Sequence, residues 1–286
     1  MKPLHKKWSI NIELSNECQY RCAYCTRYVR HLPKNKIFRL SIGQFENILK
    51  LLKGFPTRIN FFGGEPTIHP QFKEFCELAL MYFPKRKFQL FTAGGRGYEK
   101  YYDTICMTFG HVYLNPHIRN KDVCYHQPLT IALNDVIKET KVKRYLMDNC
   151  WVADTWCGSI YSHGVYFCEM AGSLDWILFD GKNANELKPK FWKQNFEIQR
   201  FLCGFCGMCI PMKREKSGGK EVFSRGLYEL LKFKGLKLNN EEVIDKTFTL
   251  DEIREIAKTW YPGNFRGDKN PDELSSEGLG IKGFKL

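Results

Sequence analysis

Three cysteines within eight residues constrain this chain more than any other feature of its sequence. Cys18, Cys22 and Cys25 are separated by three and two residues and follow an alternating stretch, residues 8–14, that predicts a strand. Cysteine thiolates are the usual ligands of cubane iron–sulfur clusters. Because a cubane has four irons, three thiols would leave one iron open to a substrate or cofactor. The pattern therefore favours a reactive cluster, and a structural zinc site closed by four ligands is the alternative.

A second motif follows the next predicted strand, residues 58–62, and reads Gly63-Gly64-Glu65-Pro66. In this order, the two motifs resemble the CxxxCx(aromatic)C and GGEP signatures of the radical S-adenosylmethionine (SAM) enzymes. The resemblance implies an α/β fold, namely a partial (β/α)6 barrel of the TIM type. In such barrels the residues that act on ligands collect at the C-terminal ends of the strands, where both motifs lie.

The resemblance also implies a chemistry. Cys18, Cys22 and Cys25 would hold a 4Fe-4S cluster whose open iron binds SAM. A one-electron reductant of the flavodoxin or ferredoxin type would supply the electron that cleaves SAM to a 5'-deoxyadenosyl radical. That radical would abstract hydrogen from a substrate, and dehydrogenation, epimerisation or rearrangement would follow. We therefore expect an enzyme of the oxidoreductase or isomerase type.

Several other residues match positions at which members of that family contact SAM. Glu65 either takes part in receiving the amino group of SAM or braces its own loop. His117 either contacts the cofactor or is a loop histidine with satisfied hydrogen bonds. The resemblance implies SAM contacts at Tyr24, Gly63, Gly64, Glu65, Pro66, Thr92, Asn115 and His117.

A second group of cysteines lies towards the middle of the chain, at Cys157, Cys168, Cys203, Cys206 and Cys209. It resembles the C-terminal extension of radical SAM enzymes called SPASM or, in its shorter form, twitch. The resemblance implies an auxiliary 4Fe-4S cluster held by the first four of these thiols, with Cys209 competing for the fourth place or remaining free. A zinc site with the same sulfurs is the alternative.

The role of the auxiliary cluster depends on how many thiols it takes. A closed cluster would accept an electron and so favour a net oxidation of the substrate. A spare thiol such as Cys209 or Cys150 could instead donate a hydrogen atom, as an epimerase requires. The other single cysteines, Cys76, Cys106 and Cys124, together with Cys150, are otherwise expected to be buried small hydrophobes.

The order of predicted elements indicates a parallel sheet followed by a different architecture. Strands at 58–62, 87–92, 112–114 and near 150–153 alternate with helices, including one at 128–140. Beyond this point we expect a hairpin turned at 162–164 and helices at 222–233 and 250–260. The predicted domains are the partial barrel at 1–155, the auxiliary cluster domain at 156–213 and a C-terminal helical extension at 214–286.

Composition limits the class of protein. The chain has 286 residues and 12 cysteines, which is long for a small disulfide-stapled domain, and its N-terminus lacks the apolar stretch of a secretion signal. We therefore expect metal ligation in a reducing cytoplasm. No apolar run of about 18 residues is present, so no membrane partner is expected.

The net charge of +13 is the remaining clue to a substrate. It indicates either a solubilising surface or an anionic substrate such as a nucleotide or a base in nucleic acid. The resemblance adds sugars, cyclitols and peptides. The competing hypothesis is a non-catalytic iron–sulfur or zinc protein that binds nucleic acid. Basic residues flank the first cysteine motif at Arg21, Arg27, Arg30, Lys34, Lys36 and Arg39.

Overall fold

A six-stranded sheet is the framework of the molecule. The computed structural model describes residues 1–115, 125–238 and 241–259. The strand order is β4-β3-β2-β1-β6-β7, with the first five strands parallel and β7 antiparallel to β6. The strands are β1 (Ser9–Ser15), β2 (Arg58–Gly63), β3 (Phe88–Thr92), β4 (His111–Leu114), β6 (Cys157–Tyr161) and β7 (Gly164–Tyr166). This mostly parallel sheet is consistent with the predicted partial barrel.

Helices connect the parallel strands, as a strand–crossover–strand sequence requires. The first begins at a capping box in which Ser41 and Gln44 exchange side-chain and backbone hydrogen bonds, as the sequence predicts. The helices up to β6 are α1 (Ile42–Leu51), α2 (Phe72–Tyr82), α3 (Arg96–Lys100), α4 (Tyr102–Thr108), α5 (Leu133–Val136) and α6 (Thr140–Asp148).

The core lies between β1, β2, β3 and the helices that cover them. Every residue of β1 is buried, as expected for a central parallel strand covered on both faces. Phe61 of β2 contacts Phe45 of α1 at 5.3 Å and Phe88 of β3 at 5.7 Å between ring centroids, both edge to face. This packing holds the C-terminal ends of the strands in place, where the first cysteine motif and the glycine motif lie.

The connection before β6 differs from the sequence prediction. A strand near 150–153 is wrong, because Val152–Trp156 forms a π-helical turn and the strand begins at Cys157. The helix predicted at 128–140 is also wrong in extent. Residues 129–130 form a turn in which Thr130 hydrogen-bonds with Val222 and Ser224, and the chain becomes helical only at Leu133. Short apolar runs do not separate strand from helix by pattern alone, and here tertiary contacts decide.

The hairpin predicted around residues 162–164 is present, and its strands belong to the main sheet. β6 pairs with β1 in parallel and with β7 in the antiparallel sense. The sheet therefore continues past residue 155, where the predicted first domain ends. The hairpin leads into α7 (Glu169–Phe179), most of which is buried.

The C-terminal part adds two small sheets and two helices. β5 (Tyr125–His126) pairs with β8 (Glu215–Lys216), and β9 (Val222–Ser224) pairs with β10 (Glu242–Ile244). The predicted helices are α8 (Arg225–Phe233) and α9 (Leu250–Thr259). The first starts three residues late because 222–224 is a strand. Among the described residues, no helix is both long and apolar enough to span a membrane.

Candidate active site

One cavity lies at the C-terminal ends of the first four strands. Cys18, Cys22 and Cys25 follow β1, Gly63 ends β2, Thr92 ends β3 and Asn115 follows β4, and all of them line it. Carboxyl ends of neighbouring parallel strands meet at one edge, which explains why distant motifs converge here. The cavity walls also carry aromatic rings that the sequence analysis did not single out, at Phe62, Phe91, Tyr113, Tyr125, Trp151 and Trp156.

The glycine motif is hydrogen-bonded to the segment that leads into the cysteines. The N–H of Gly64 donates to Ser15 O at 2.8 Å, and the N–H of Glu65 donates to Glu17 O at 2.7 Å. A Cβ at Gly63 would lie 2.2 Å from Ser15 O, and one at Gly64 would lie 2.0 Å from Glu17 O. Glycine is therefore required because two backbones touch here.

Glu65 braces its own loop. Its Oε1 accepts from the Thr67 hydroxyl and the Thr92 hydroxyl, both at 2.7 Å, and its Oε2 accepts from the N–H of Ala93 at 2.7 Å. Burial raises the pKa of this carboxyl, and the hydrogen bonds from Thr67, Thr92 and Ala93 oppose that rise. Of the two roles considered for Glu65, these contacts support the bracing role. They also explain why Thr92 is close to the motif.

The three thiols lie in partly buried surroundings that suit a soft metal centre. Cys18 Sγ accepts from the N–H of Tyr20 at 3.4 Å. Burial raises the pKa of the Cys25 thiol, and the N–H groups of Val29 and Arg27 oppose that rise. N–H groups aimed at sulfur favour the thiolate, which is the form that binds metal.

Tyr24 links the cysteine loop to the C-terminal part of the chain. It has a left-handed backbone, with φ 55°, and is 1% exposed. Its hydroxyl accepts from the N–H of Val222 at 3.0 Å, and its own N–H donates to Glu221 Oε1 at 3.0 Å. Tyr24 lines the cavity and also anchors the loop, and its predicted contact with adenine stays a prediction.

A buried ion cluster closes the inner side of the cavity. The Arg27 guanidinium donates to both oxygens of Glu13, at 2.6 and 3.1 Å, and to Glu169 Oε2 at 3.2 Å. Desolvation disfavours the charged guanidinium, yet Glu13 and Glu169 hold the pKa of Arg27 well above its usual value. Burial raises the pKa of Glu169, which lines the cavity. Neither acid was predicted from the sequence, although Glu13 inside the apolar strand β1 was a usable signal.

The predicted contacts after β4 are only partly described. The N–H of Asn115 donates to Thr92 O at 2.8 Å, and the residue lines the cavity. His117 lies outside the described residues. His126, which the sequence analysis did not mention, faces the cavity with its Nδ1 2.7 Å from Ala23 O, and burial lowers its pKa.

A second cavity is lined, among the described residues, by thiols and apolar side chains alone. Its cysteines are Cys150, Cys168, Cys203, Cys206 and Cys209. Burial raises the pKa of every one of these thiols, in the case of Cys168 to about 12. All eleven described cysteines are free thiols. Met208 lines both cavities. Trp151 lines the first cavity, and its chain neighbour Cys150 lines the second cavity, so the two cavities share a wall.

Cys157 is not among the described residues that line this second cavity. It lies at the start of β6, where its Sγ accepts from Asn11 Nδ2 at 3.1 Å and is 4.0 Å from Glu169 Oε2. The sequence predicted that Cys150 is a buried small side chain or a spare thiol. Cys150 is buried, and it lines the second cavity, where Cys157 was expected. The spacing did not reveal this exchange because the turn at 152–156 reorients the chain between the two residues.

The remaining single cysteines differ from one another. Cys76 is buried in α2, as predicted. Cys106 is exposed, so the prediction that it is buried is wrong, because it lies on the solvent side of α4. Cys124 lies outside the described residues.

Most of the basic residues that flank the first motif have partners within the protein. Arg39 pairs with Glu17 and Lys36 pairs with Asp180. Arg21 and Arg30 donate to the carbonyls of Arg30 and Gly219. Together with the burial of Arg27, these contacts assign much of the local positive charge to the fold.

Comparison with known proteins agrees with the motifs. Residues 12–145 match the model of the Radical SAM superfamily. This segment is similar to a radical SAM domain. A curated relative, the S-adenosylmethionine-dependent nucleotide dehydratase of Selenomonas ruminantium, is 34% identical over 67 residues. The match spans 23% of this chain and 23% of the length of that relative. Both similarities support, for this segment, the 4Fe-4S cluster and SAM that the superfamily implies.

Two solved structures also resemble the chain. Selenomethionine BtrN in an open conformation has 18% identity and a TM-score of 0.44, covering 74% of this chain and 97% of that one. BtrN in complex with AdoMet and 2-DOIA has 14% identity and a TM-score of 0.47, covering 85% of this chain and 97% of that one.

Proposed function

We propose that this protein is a radical SAM dehydrogenase with an auxiliary iron–sulfur cluster, acting on a hydroxyl- or amine-bearing carbon of a nucleotide-like substrate. The observation that carries the proposal is that one cavity joins three thiols, the glycine motif, Glu169 and aromatic rings, and shares a wall with a second cavity containing five thiols. Bound together, the cluster and SAM supply reductive cleavage of SAM and abstraction of hydrogen from the substrate.

The donor set of the first cavity fits the SAM-binding cluster. Cys18, Cys22 and Cys25 are free thiols facing one space, and soft thiolates suit iron–sulfur clusters. The loop of Gly63 and Gly64 lies against the entry to that segment, so this chain holds the cysteines and the glycine motif in a fixed relation. Glu65 keeps Ala93 and Thr92 in place, which shapes the wall on that side.

The second cavity fits the auxiliary cluster, with a revised ligand set. We propose Cys150, Cys168 and Cys203, with Cys206 or Cys209 as the fourth thiol. Cys168 Sγ accepts from the N–H of Ala171 at 3.4 Å, and Cys206 Sγ accepts from the N–H of Met208 at 3.3 Å. Such N–H groups and the apolar walls tune and protect a bound cluster.

Lys7 adds a charge that suits bound thiolates. It is 2% exposed, and its Nζ donates to Phe167 O. Burial lowers the pKa of Lys7, while Cys168, Cys157 and Cys150 oppose that shift. A buried ammonium group beside thiolates would offset their negative charge.

The residues of the chain supply the remaining needs of a dehydrogenation. Glu169 is positioned to accept the proton that leaves the substrate, because its carboxyl faces the cavity and burial raises its pKa. The aromatic rings of Phe91 and Tyr113 stack with their centroids 4.4 Å apart and offer an apolar wall that excludes water and can hold a flat base. The substrate would lose one hydrogen atom, one proton and one electron, and the electron would go to the auxiliary site.

The nucleotide class is favoured because the curated relative acts, by its name, on a nucleotide. The same name supports a second candidate reaction, dehydration, in which the auxiliary site has no redox role. The products separate the two, since a dehydrogenated product lacks two hydrogens and a dehydrated product lacks water.

Anaerobic incubation of the iron-loaded protein with reductant, SAM and a panel of nucleotides tests the proposal. We expect 5'-deoxyadenosine together with a product two hydrogens lighter than its substrate. Deuterium from the attacked carbon should appear in the 5'-deoxyadenosine. Cys150→Ser should lower the iron content of the auxiliary site, whereas Cys157→Ser should leave it near the wild-type value. Retention of all the auxiliary iron in Cys150→Ser would contradict the ligand set.

A further inference from the structure

Three potential metal ligands converge outside both cysteine cavities. They are His31, just after the first cysteine loop, and Glu221 and Glu241 from the C-terminal part. His31 Nε2 lies 2.7 Å from Glu221 Oε2 and 4.0 Å from Glu241 Oε1, and the three ligand atoms lie within 4.8 Å of one another. The side chains are only 2%, 2% and 3% exposed.

Each of the three side chains is oriented by a backbone group behind it. His31 Nδ1 is 3.0 Å from Lys237 O. Glu221 Oε1 accepts from the N–H of Tyr24 at 3.0 Å, and Glu241 Oε2 accepts from the N–H of Glu221 at 3.3 Å. The atoms that remain, one imidazole nitrogen and two carboxylate oxygens, are the ones that face one another. Backbone support of this kind is typical of metal ligands.

The hydrogen bond at Nδ1 sets the state of the imidazole. Because the Lys237 carbonyl can only accept, His31 Nδ1 carries a proton. If the ring is neutral, Nε2 has no proton and its lone pair faces Glu221 Oε2 at 2.7 Å. Two lone pairs on a nitrogen and an oxygen this close repel each other unless a cation lies between them. Arg30 Nε, at 3.9 Å from Glu241 Oε1, is one positive group beside two buried carboxylates. With a neutral imidazole, the pocket has one positive group, Arg30, for two buried carboxylates.

We propose that His31, Glu221 and Glu241 bind a divalent cation of the manganese and zinc class, the metals that an imidazole with two carboxylates suits. The ion joins the C-terminal part to the first cysteine loop. Glu221 holds the N–H of Tyr24, between Cys22 and Cys25, so an ion that fixes Glu221 also fixes that loop. The competing arrangement is an imidazolium that bridges the two carboxylates without a metal.

A titration with Mn²⁺ distinguishes the two arrangements, because this hard ion has little preference for the many thiols of the chain. The 286-residue protein with its iron–sulfur sites loaded would be freed of other metals by dialysis against a chelator. Binding is followed by loss of the electron paramagnetic resonance signal of free Mn²⁺. We expect about one additional bound equivalent, and a rise of the thermal unfolding midpoint with added Mn²⁺.

Variants locate the site. Glu241→Gln and His31→Gln should each weaken Mn²⁺ binding at least about tenfold, since each removes a direct ligand. Glu242→Gln is the matched control, because the adjacent Glu242 is exposed and should keep wild-type binding. Thermal unfolding without Mn²⁺ verifies that each variant folds, and Glu241→Gln decides the result if His31→Gln does not fold. Absence of binding by the wild type, or unchanged binding by folded Glu241→Gln, would overturn the proposal.

Discussion

The contact between the glycine motif and the cysteine segment gives the sharpest mutational prediction. In Gly64→Ala the new Cβ would lie 2.0 Å from Glu17 O and 2.5 Å from Glu17 C. Carbon and oxygen do not approach closer than about 3 Å, so the two backbones must separate by roughly 1 Å. That shift breaks the hydrogen bonds from Gly64 N–H to Ser15 O and from Glu65 N–H to Glu17 O.

The cost follows from the two broken hydrogen bonds. A buried donor left without a partner costs about 1–3 kcal/mol, so the variant should lose about 2–6 kcal/mol of unfolding free energy. Displacement of residue 17 also moves Cys18, so the variant should bind less iron at the first site. Urea unfolding measures the first effect, and iron analysis of anaerobically reconstituted protein measures the second.

Gly43→Ala is the matched control for this substitution. Gly43 lies in α1 and is exposed, and among the described residues a Cβ added there would meet no atom of another segment within 4 Å. The control should be neutral or more stable than the wild type by at most about 1 kcal/mol. If Gly64→Ala unfolds within about 0.5 kcal/mol of the wild type and binds all its iron, the two backbones do not constrain each other as argued.

Three further predictions concern groups away from this contact. Arg27→Met leaves the Glu13 carboxylate buried and unpaired and should cost about 3–5 kcal/mol in urea unfolding, and a loss below about 1 kcal/mol would contradict the buried pair. Burial lowers the pKa of His163 to about 4, so the unfolded chain binds a proton that the folded chain excludes. Stability should therefore fall as the pH drops from about 6.5 towards 4, and His163→Gln should flatten that part of the urea midpoint–pH curve. Tyr24→Phe removes the acceptor for Val222 N–H and should cost about 1–3 kcal/mol, and an unchanged urea midpoint would show that water replaces it.

The sequence predicted the parts of the molecule that follow local rules. The alternation of strands and helices up to β4, the capping box at Ser41 and the hairpin turned at 162–164 are present, because each depends on neighbouring residues. The convergence of the cysteine and glycine motifs was also predictable, since both follow strands of one parallel sheet.

The sequence did not predict features that depend on contacts between distant segments. The exchange of Cys150 for Cys157 at the second cavity depends on the turn at 152–156. The Arg27 cluster unites β1, the first loop and the start of α7, and no local pattern connects Glu13 with Glu169. Pairing of this kind is set by tertiary packing, which composition and periodicity do not report.

The C-terminal part is hydrogen-bonded to the first cysteine loop, although the two are far apart in sequence. Ser217 O accepts from the N–H of Ala23 at 2.7 Å, and Glu221 and Val222 hold Tyr24. These contacts make residues 217–222 part of the support of the cysteine loop. Loss of this segment should loosen the loop between Cys22 and Cys25.

The central claim is that three thiols hold a cluster that cleaves SAM. The most direct measurement is the yield of 5'-deoxyadenosine and methionine from anaerobic, iron-loaded protein supplied with reductant and SAM, compared between the wild type and Cys22→Ser. The account predicts both products from the wild type and their loss in the variant, with the iron of the auxiliary site retained. Zinc in place of iron at Cys18, Cys22 and Cys25, or equal yields from the two proteins, would contradict it.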